Sequence, residues 1–590
     1  MIVSMKKVTL PMLAKEREEI LKKLRQIGVL HIKNIREPVS EDIRSLEGLL
    51  ANVERALELT ADKPGRIKKI KTDNVPSIVD EILSLDDRRG KLSPELAEQE
   101  EIFSWFDQWG GVSRDSVEQL RSAGLYVRFY ITSKGSLKQL PQDKAVQIIR
   151  EEKGTVYLAF FTDSKDDTLD LKEEPMPEVE YAILTEQMKA IREELSGIDK
   201  RIGELARYRD ALATWKADLG KRIEFQRVKH GMGDEERFLY LQGFCPVETV
   251  EAFRKTAEDE GWAYVIQDPD QPEETPTLIR NPKWLRIIDP LFNFMGTLPG
   301  YDEFDISIWF LLFFSLFFAM LIGDAGYGLV FLGLTIFASR KNKNIPKEPL
   351  RLVYVLSGAT IVWGIITGTW FGYGKIAQLP ILNLAVIDQI DSFAEGSQNS
   401  MMYLCFVIGL VHLSIAHSLR ALRIINSPKA LAEVGWIGIL LALFFLAGSL
   451  VIGKPFSPIA WFCIIGGTSL VLLFSNFQKN IIKGVLVSLG DLPLSAISSF
   501  SDIVSYLRLF AVGYASVTVA SSFNSMAADA GFGSILTGFV AAFILFFGHS
   551  LNIMLGLMSV IVHGIRLNML EFSGHLNMQW AGKKYHPFQE

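Results

Sequence analysis

The chain has 590 residues, a formal net charge of −6 and 48% hydrophobic residues. That length is several domains' worth rather than one, and its three scattered cysteines, Cys245, Cys405 and Cys463, form neither a disulfide framework nor a metal-ligand cluster. The average conceals a division: residues 1–300 carry the Lys, Glu, Asp and Arg of a soluble protein, whereas from about Ile306 long runs of Phe, Leu, Ile, Ala and Gly take over, more apolar sequence than a soluble core needs.

Met1 to Lys7 leads into polar sequence, with no early apolar run and no small-residue cleavage site, so the N-terminal half is expected in the cytoplasm. Residues 3–10, 12–27 and 29–35 read as strand–helix–strand. Residues 126–132 and 155–161 are rich in β-branched and aromatic side chains and read as strands. Residues 237–244, 247–259 and 262–267 repeat the strand–helix–strand pattern. Small α/β units are therefore expected at about 1–36, 120–165 and 236–270. The soluble half has no G-x-x-x-x-G-K-[ST] loop and no G-x-G-x-x-G after a strand, so no ATP-hydrolysing site is expected.

Long helices separate these units. From about 178 to 228 the apolar positions Leu184, Met188, Ile191, Leu195, Ile198, Ile202, Leu205, Tyr208, Leu212, Trp215, Leu219 and Ile223 recur in steps of three and four. That is the coiled-coil period. Helices within about 40–105 are natural antiparallel partners. The pattern predicts a stiff strut, which transmits force or docks partners and does no chemistry.

The apolar half reads as eight spans at about 305–321, 326–339, 352–371, 401–419, 434–452, 459–474, 493–526 and 534–572. The last two exceed a straight crossing and must tilt or project. Basic residues fall after the second span (Arg340, Lys341, Lys343, Lys347, Arg351), the fourth (Arg420, Arg423, Lys429), the sixth (Lys479, Lys483) and in the tail (Lys583, Lys584). The loops after the odd-numbered spans hold almost none, Lys375 and Lys454 excepted. With positive residues kept inside, both termini are cytoplasmic in a multi-pass protein of the cell membrane.

An ionisable residue within a span is a functional hypothesis by default, because placing it there costs several kcal/mol. Arg508 lies deep in the seventh span and Arg566 in the eighth, and guanidinium does not deprotonate. Ser498, Ser499, Ser501, Asp502 and Ser505 precede Arg508 and apolar sequence follows it, the pattern of an aqueous cleft ending at an arginine. Asp491 and Asp502 lie on the cytoplasmic side. Glu571 follows Arg566 toward the cytoplasm. Asp324, His549, Asn552 and His563 belong to the external part or middle of the membrane.

At these residues the sequence resembles a known family. Ser501-Asp502-Ile503-Val504-Ser505-Tyr506-Leu507-Arg508-Leu509-Phe510-Ala511, the run His563 to Phe572, and Gly323-Asp324-Ala325-Gly326-Tyr327-Gly328 are similar to signatures of the a/I subunit of V-type and archaeal-type ATPases. The resemblance implies a mainly α fold: a cytoplasmic antiparallel coiled coil with small α/β end domains over residues 1–300, then an eight-helix membrane domain over 301–590 with two long tilted final helices. It implies a non-catalytic stator subunit with no cofactor and no nucleic-acid partner. Its partners would be a rotor ring bearing mid-membrane carboxylates, peripheral stalks, and the central stalk and ATP-hydrolysing head, all at a lipid bilayer. Arg508 would keep the passing carboxylate ionised and block leakage between two half-channels, supported by Arg566. Asp491, Ser498 and Asp502 would line the cytoplasmic half-channel, and Asp324, Ser516, Asn552 and His563 the external one. Where eukaryotic members have a His eight residues after the first arginine and a Glu ten before the second, this chain has Ser516 and Gly556. The competing reading is a secondary transporter with a regulatory coiled coil.

Overall fold

The computed structural model describes residues 1–61, 74–137, 144–152, 154–235, 238–342, 345–394, 396–477, 481–531 and 533–589. Arg237 of an expected strand, and Lys343 and Lys479 of the basic loops, lie outside the described residues. The chain is mainly helical and divides into two compact units. One comprises Pro11–Gln26 and Lys33–Leu241; the other comprises Met1–Leu10, Ile27–Ile32 and Gln242–Gln589.

In the first unit, helix Val75–Trp109 packs on Tyr181–Leu205, and Glu41–Leu59 packs on Arg209–His230. The pairing is antiparallel, as ion pairs along its edges show: Arg192 to Glu100 at 2.8 Å, Arg88 to Glu194 at 2.7 Å, Arg201 to Glu81 at 2.7 Å, Lys216 to Glu54 at 2.9 Å and Arg227 to Glu47 at 2.6 Å. These exposed pairs are each worth little; the apolar seam supplies the stability. Leu184, Met188, Ile191, Ile198, Ile202, Leu205, Leu212, Trp215, Leu219 and Ile223 are all buried. The stretch 178–228 is not one helix: a 3₁₀ turn at Ala206–Tyr208 joins Tyr181–Leu205 to Arg209–His230. The apolar spacing allows it, because Leu205 and Tyr208 are three apart, the 3₁₀ repeat.

At one end of the seam, Trp105, Phe106 and Trp109 pack with Phe129, Ala159, Leu184 and Met188. Phe129 and Ala159 come from a four-stranded antiparallel sheet in which Thr155–Thr162 lies between Ala145–Glu152 and Tyr126–Ser133, with Lys172–Glu173 outside Tyr126–Ser133. The strand Ala145–Glu152 was illegible in sequence because its side chains are largely exposed and show no alternation of apolar and polar residues.

In the second unit, Lys7, Val8 and Thr9 pair antiparallel with Gln267, Ile266 and Val265. The chain's end returns to this region: Pro276 and Thr277 pair with Lys583 and Lys584, and the Tyr585 hydroxyl donates to the Val29 carbonyl at 2.6 Å.

The apolar helices follow, numbered here from α1. They are α1 (Ser307–Ile322), α2 (Ala325–Lys341), α3 (Lys347–Ile366), α4 (Ser397–Arg423), α5 (Lys429–Ile452), α6 (Pro458–Phe474), α7 (Ile481–Ser505), α8 (Leu507–Ala530) and α9 (Ile535–Ser559). Among the described residues five helical runs are long and apolar enough to cross a membrane: α3, α4, α5, Ile482–Ala530 and Ile535–His575. A bend of 117° separates α1 from α2, and α6 is a shorter apolar helix. The seventh expected span breaks at Tyr506, between α7 and α8. Its core is aromatic: Phe310, Phe313, Phe314 and Phe317 of α1 pack with Phe406, Tyr506 and Phe572. Glycine permits the tightest crossings. Gly513 of α8 abuts the Met320 carbonyl of α1, and Gly435 of α5 faces Gly467 of α6; with no side chain between them, backbones approach closely.

Candidate functional site

The break at Tyr506 builds the site. Tyr506 is fully buried, and its ring lies over Gly409 of α4, where any Cβ would meet it at 2.8 Å. Its hydroxyl is 2.8 Å from His412 Nδ1. His412 is itself clamped between Phe313 and Phe572, at centroid distances of 3.8 and 4.2 Å. This packing fixes the backbone on either side of Tyr506, and so fixes Ser505 and Arg508.

Arg508 Nη2 donates to Ser505 Oγ at 2.7 Å, and Ser505 Oγ donates to Glu571 Oε1 at 2.8 Å. Arg566 Nε lies 3.6 Å from the same Glu571 oxygen. Glu571 is 4% exposed and Arg566 52%. One buried carboxylate is thus shared by two arginines, directly by one and through a serine by the other. Arg508 Nη1 and Glu571 Oε2 are buried without a hydrogen-bond partner among the described residues. An unpartnered guanidinium N–H is a strong site for an incoming carboxylate.

Arg566 sits between two wide π-helical turns, Val560–Gly564 and Leu567–Phe572. Such turns recur at functional sites. His563 Nδ1 and Asn568 Oδ1 are buried without a hydrogen-bond partner among the described residues.

A cleft of about 440 Å³ opens beside this cluster. Ser498, Ser499, Asp502, Arg566 and Glu571, five residues singled out from sequence, line it together with His417, Arg420 and His575. Asp491 is exposed on the same helix but lies outside this lining.

A chain of four titratable side chains runs along the cleft wall, and sequence reasoning missed three of its members. Asp502 Oδ2 is 3.1 Å from His575 Nε2, His575 Nδ1 is 2.9 Å from His417 Nε2, and His417 Nδ1 is 2.7 Å from Glu433 Oε2. Arg420 Nε lies 3.2 Å from the other Glu433 oxygen. Glu433 stands one residue before the apolar stretch that was read as the fifth span, so it passed for a loop residue. The signal that could have found it is the alignment of His417 and Arg420 with a buried acid on the next helix.

A second polar cluster lies further along α8. Ser516 Oγ donates to Asn552 Oδ1 at 3.2 Å, while Asn552 Nδ2 donates to the Ser516 carbonyl at 2.8 Å and to the Tyr327 hydroxyl at 3.0 Å. The Tyr327 hydroxyl is 2.8 Å from His549 Nδ1, and His549 Nε2 is 3.2 Å from Asn524 Oδ1. Asp324 caps α2. Its Oδ1 accepts from the N–H groups of Gly326 (2.7 Å), Tyr327 (3.3 Å) and Phe371 (2.8 Å), and its Oδ2 from Gly372 (2.8 Å). Phe371 adopts φ 52°, uncommon for a non-glycine residue, and this carboxylate is what its N–H meets there. Four backbone donors suit a carboxylate that anchors a loop.

No family model matches the chain. Over 620 residues covering 100% of each, it is 32% identical to the V-type ATP synthase subunit I of Borreliella burgdorferi. It is 32% identical over 626 residues, again 100% of each, to V-type ATP synthase subunit I 1 of Treponema pallidum. An A-type ATP synthase subunit I from Methanocaldococcus jannaschii is 27% identical over 449 residues, 69% of this chain and 64% of its own. A solved cytoplasmic N-terminal domain of a V-ATPase subunit I aligns with 44% of this chain and 99% of its own at 17% identity and a TM-score of 0.24, too low to establish a shared fold.

Proposed function

This chain belongs to the subunit I family of V- and A-type ATP synthases, and on that premise we propose that it carries ions past a rotor ring at Arg508 while its helical unit holds the stator still. It is a multi-pass membrane subunit of the complex and not the catalytic one. The eight helical stretches each cross the bilayer, with α7 and α8 as one broken span and both termini cytoplasmic. Residues 1–300 form the arm that grips the peripheral stalks.

The observation that carries the reading is the shared buried carboxylate. Ser505 and Glu571 orient Arg508, and Arg566 supports them, yet the Arg508 Nη1 group has no partner among the described residues. A ring carboxylate arriving there is favoured in its ionised form, because an adjacent positive charge lowers a carboxylate's proton affinity. Ions leave the ring on one side of the arginine and load on the other, and the fixed charge bars direct passage. Asp502 and Ser498 serve the cytoplasmic half-channel, with Asp491 at its approach. His563 serves the external one, with Ser516 and Asn552 bracing its wall and Asp324 holding the loop at its mouth. The driving force is about 2.3 kcal/mol per charge per 100 mV.

The test is ATP-driven ion uptake by membrane vesicles carrying Arg508→Ala, with assembly checked by copurification of ring and head. The reading predicts an assembled complex with uptake at background. Normal uptake would overturn it.

A further inference from the structure

Three pieces of chain meet at one end of α2 and α3 and leave an unanswered positive corner. Helix α2 ends in Arg340 and Lys341, α3 carries Lys347 and Arg351 in its first turns, and the two helices pack on each other. The segment before α1 lies against the same end: the turn Arg286–Ile288 packs on α3, and Ile288 is buried in one cluster with Leu352 and Leu356. That segment brings Lys283 and Arg286. All six basic side chains are exposed, and among the described residues none of them makes an ion pair. Against them, residues 283–294 and 340–351 hold two acids, Asp289 and Glu348, and the Asn281 side chain already donates to Asp289. Exposed basic residues on the helical seam are matched by acids; here they are not.

The same corner exposes large apolar side chains. Trp284 is 59% exposed and Phe294 73%. Phe337, one turn before Lys341, is 63% exposed, and Lys341 Nζ lies 5.6 Å from the centre of its ring. Val353 and Val355, just after Arg351, are exposed as well. Aromatic rings beside basic residues at the ends of apolar helices mark a membrane interface. There the rings sit at headgroup level, and long basic side chains keep their stems on apolar surface while the charged ends reach out. The charge selects among headgroups, because basic clusters next to a span attract anionic lipids.

We propose that this corner binds an anionic phospholipid, with the basic side chains holding its headgroup phosphate and Trp284 and Phe294 seated beside its glycerol and upper acyl chains. The inference rests on the reading of α1 to α3 as membrane-crossing and adds a lipid preference to it. The occupant is a lipid of the surrounding leaflet, because the positive charge borders the apolar surface of Phe337, Val353 and Val355, which a soluble anion would leave uncovered. Its place gives it a use. Residues 283–294 lead into α1, whose Met320 carbonyl abuts Gly513 of α8. A lipid clamped at this corner holds the entry to α1 at a fixed depth, and through that close crossing steadies the helix that carries Arg508.

The experiment compares spin-labelled phosphatidylglycerol with spin-labelled phosphatidylcholine in vesicles containing the full-length chain. The wild type should immobilise phosphatidylglycerol about fivefold more strongly, the gain expected from one basic residue near an anionic leaflet, and less so at high salt. The triple variant Lys341→Gln, Lys347→Gln, Arg351→Gln should bring the ratio close to equality. Lys429→Gln with Lys483→Gln, which removes exposed charges at the starts of α5 and α7, should leave it unchanged. Equal binding of both lipids by the wild type, or an equal fall in both sets of variants, would overturn the site and leave the reading of Arg508 standing. The absence of any immobilised lipid would overturn the membrane-crossing reading itself. Should the triple variant misfold, Trp284 decides with every charge in place. Its emission, read as the difference between wild type and Trp284→Phe, should be quenched by phosphatidylglycerol brominated on its upper acyl chain and not by iodide. Quenching by iodide instead would contradict the seating in the leaflet, and quenching by neither would give this face to a protein partner and overturn the lipid.

Discussion

Two polar clusters interrupt the apolar helices, and they are built differently. The one around Ser516, Asn552, Tyr327, His549 and Asn524 contains no formal charge unless His549 is protonated, and Asn552 spends both its donor group and its carbonyl on neighbours. The one around Arg508 holds two arginines and a buried glutamate, leaves Arg508 Nη1 and Glu571 Oε2 without partners among the described residues, and opens on a cleft. Burying a neutral, saturated network costs little and braces helices; burying charge with atoms to spare costs much and persists where charge must be exchanged. The first cluster therefore fixes the position of α8 against α2 and α9, and the second holds the charge that the proposed exchange requires.

Substitutions distinguish the two clusters. After Arg508→Ala, the largest expected effect is that of Arg566→Ala. It removes the direct partner of Glu571 but not the Ser505 link to Arg508, so coupled uptake should fall without vanishing. A deeper loss than in Arg508→Ala would reverse the ranking of the two arginines. Asn552→Leu should act oppositely. It leaves the Tyr327 hydroxyl and the Ser516 carbonyl with fewer partners, which costs about 1–3 kcal/mol, so thermal stability should drop while a large part of coupled uptake survives. Loss of uptake with unchanged melting would move Asn552 from brace to ion path.

The smallest effect belongs to the helical unit and depends on pH. Burial alone would raise the Asp86 carboxyl, but hydrogen bonds from Arg55 and Arg89, each at 2.6 Å, outweigh it and hold the group below its ordinary value. A carboxyl held low contributes stability above its unfolded-state value, near pH 4, and loses it as pH falls through the folded one. Hydrogen-exchange protection along Val75–Trp109, corrected for the intrinsic rate at each pH, should fall on acidification below about pH 4, and Asp86→Asn should flatten that response. Identical acid profiles would show that the pairing contributes nothing.

The sequence made the helical seam legible because a three-and-four apolar repeat admits few other structures, and ten of its twelve positions are buried. It also exposed Arg508, Arg566 and Glu571, since charge is conspicuous in an apolar run. It hid features that depend on partners from distant helices. Nothing local marks Tyr506 as a break point; the glycine beneath its ring and the histidine at its hydroxyl come from α4. Glu433 and His575 fell at the edges of apolar stretches, where charge is unremarkable, and only the packing brings them to His417. Asp324 was legible as a residue but not in its use, because the donors Phe371 and Gly372 lie almost fifty positions away.

The central claim is that Arg508 is a barrier as well as an attractor, and passive leak tests it most directly. Vesicles carrying the assembled complex are loaded with an ion gradient while ATP hydrolysis and synthesis are both prevented. The account predicts that wild-type vesicles hold the gradient and Arg508→Ala vesicles dissipate it, since the half-channels are then no longer separated by a fixed charge. A gradient held equally well by both, in complexes shown to be intact, would contradict the account.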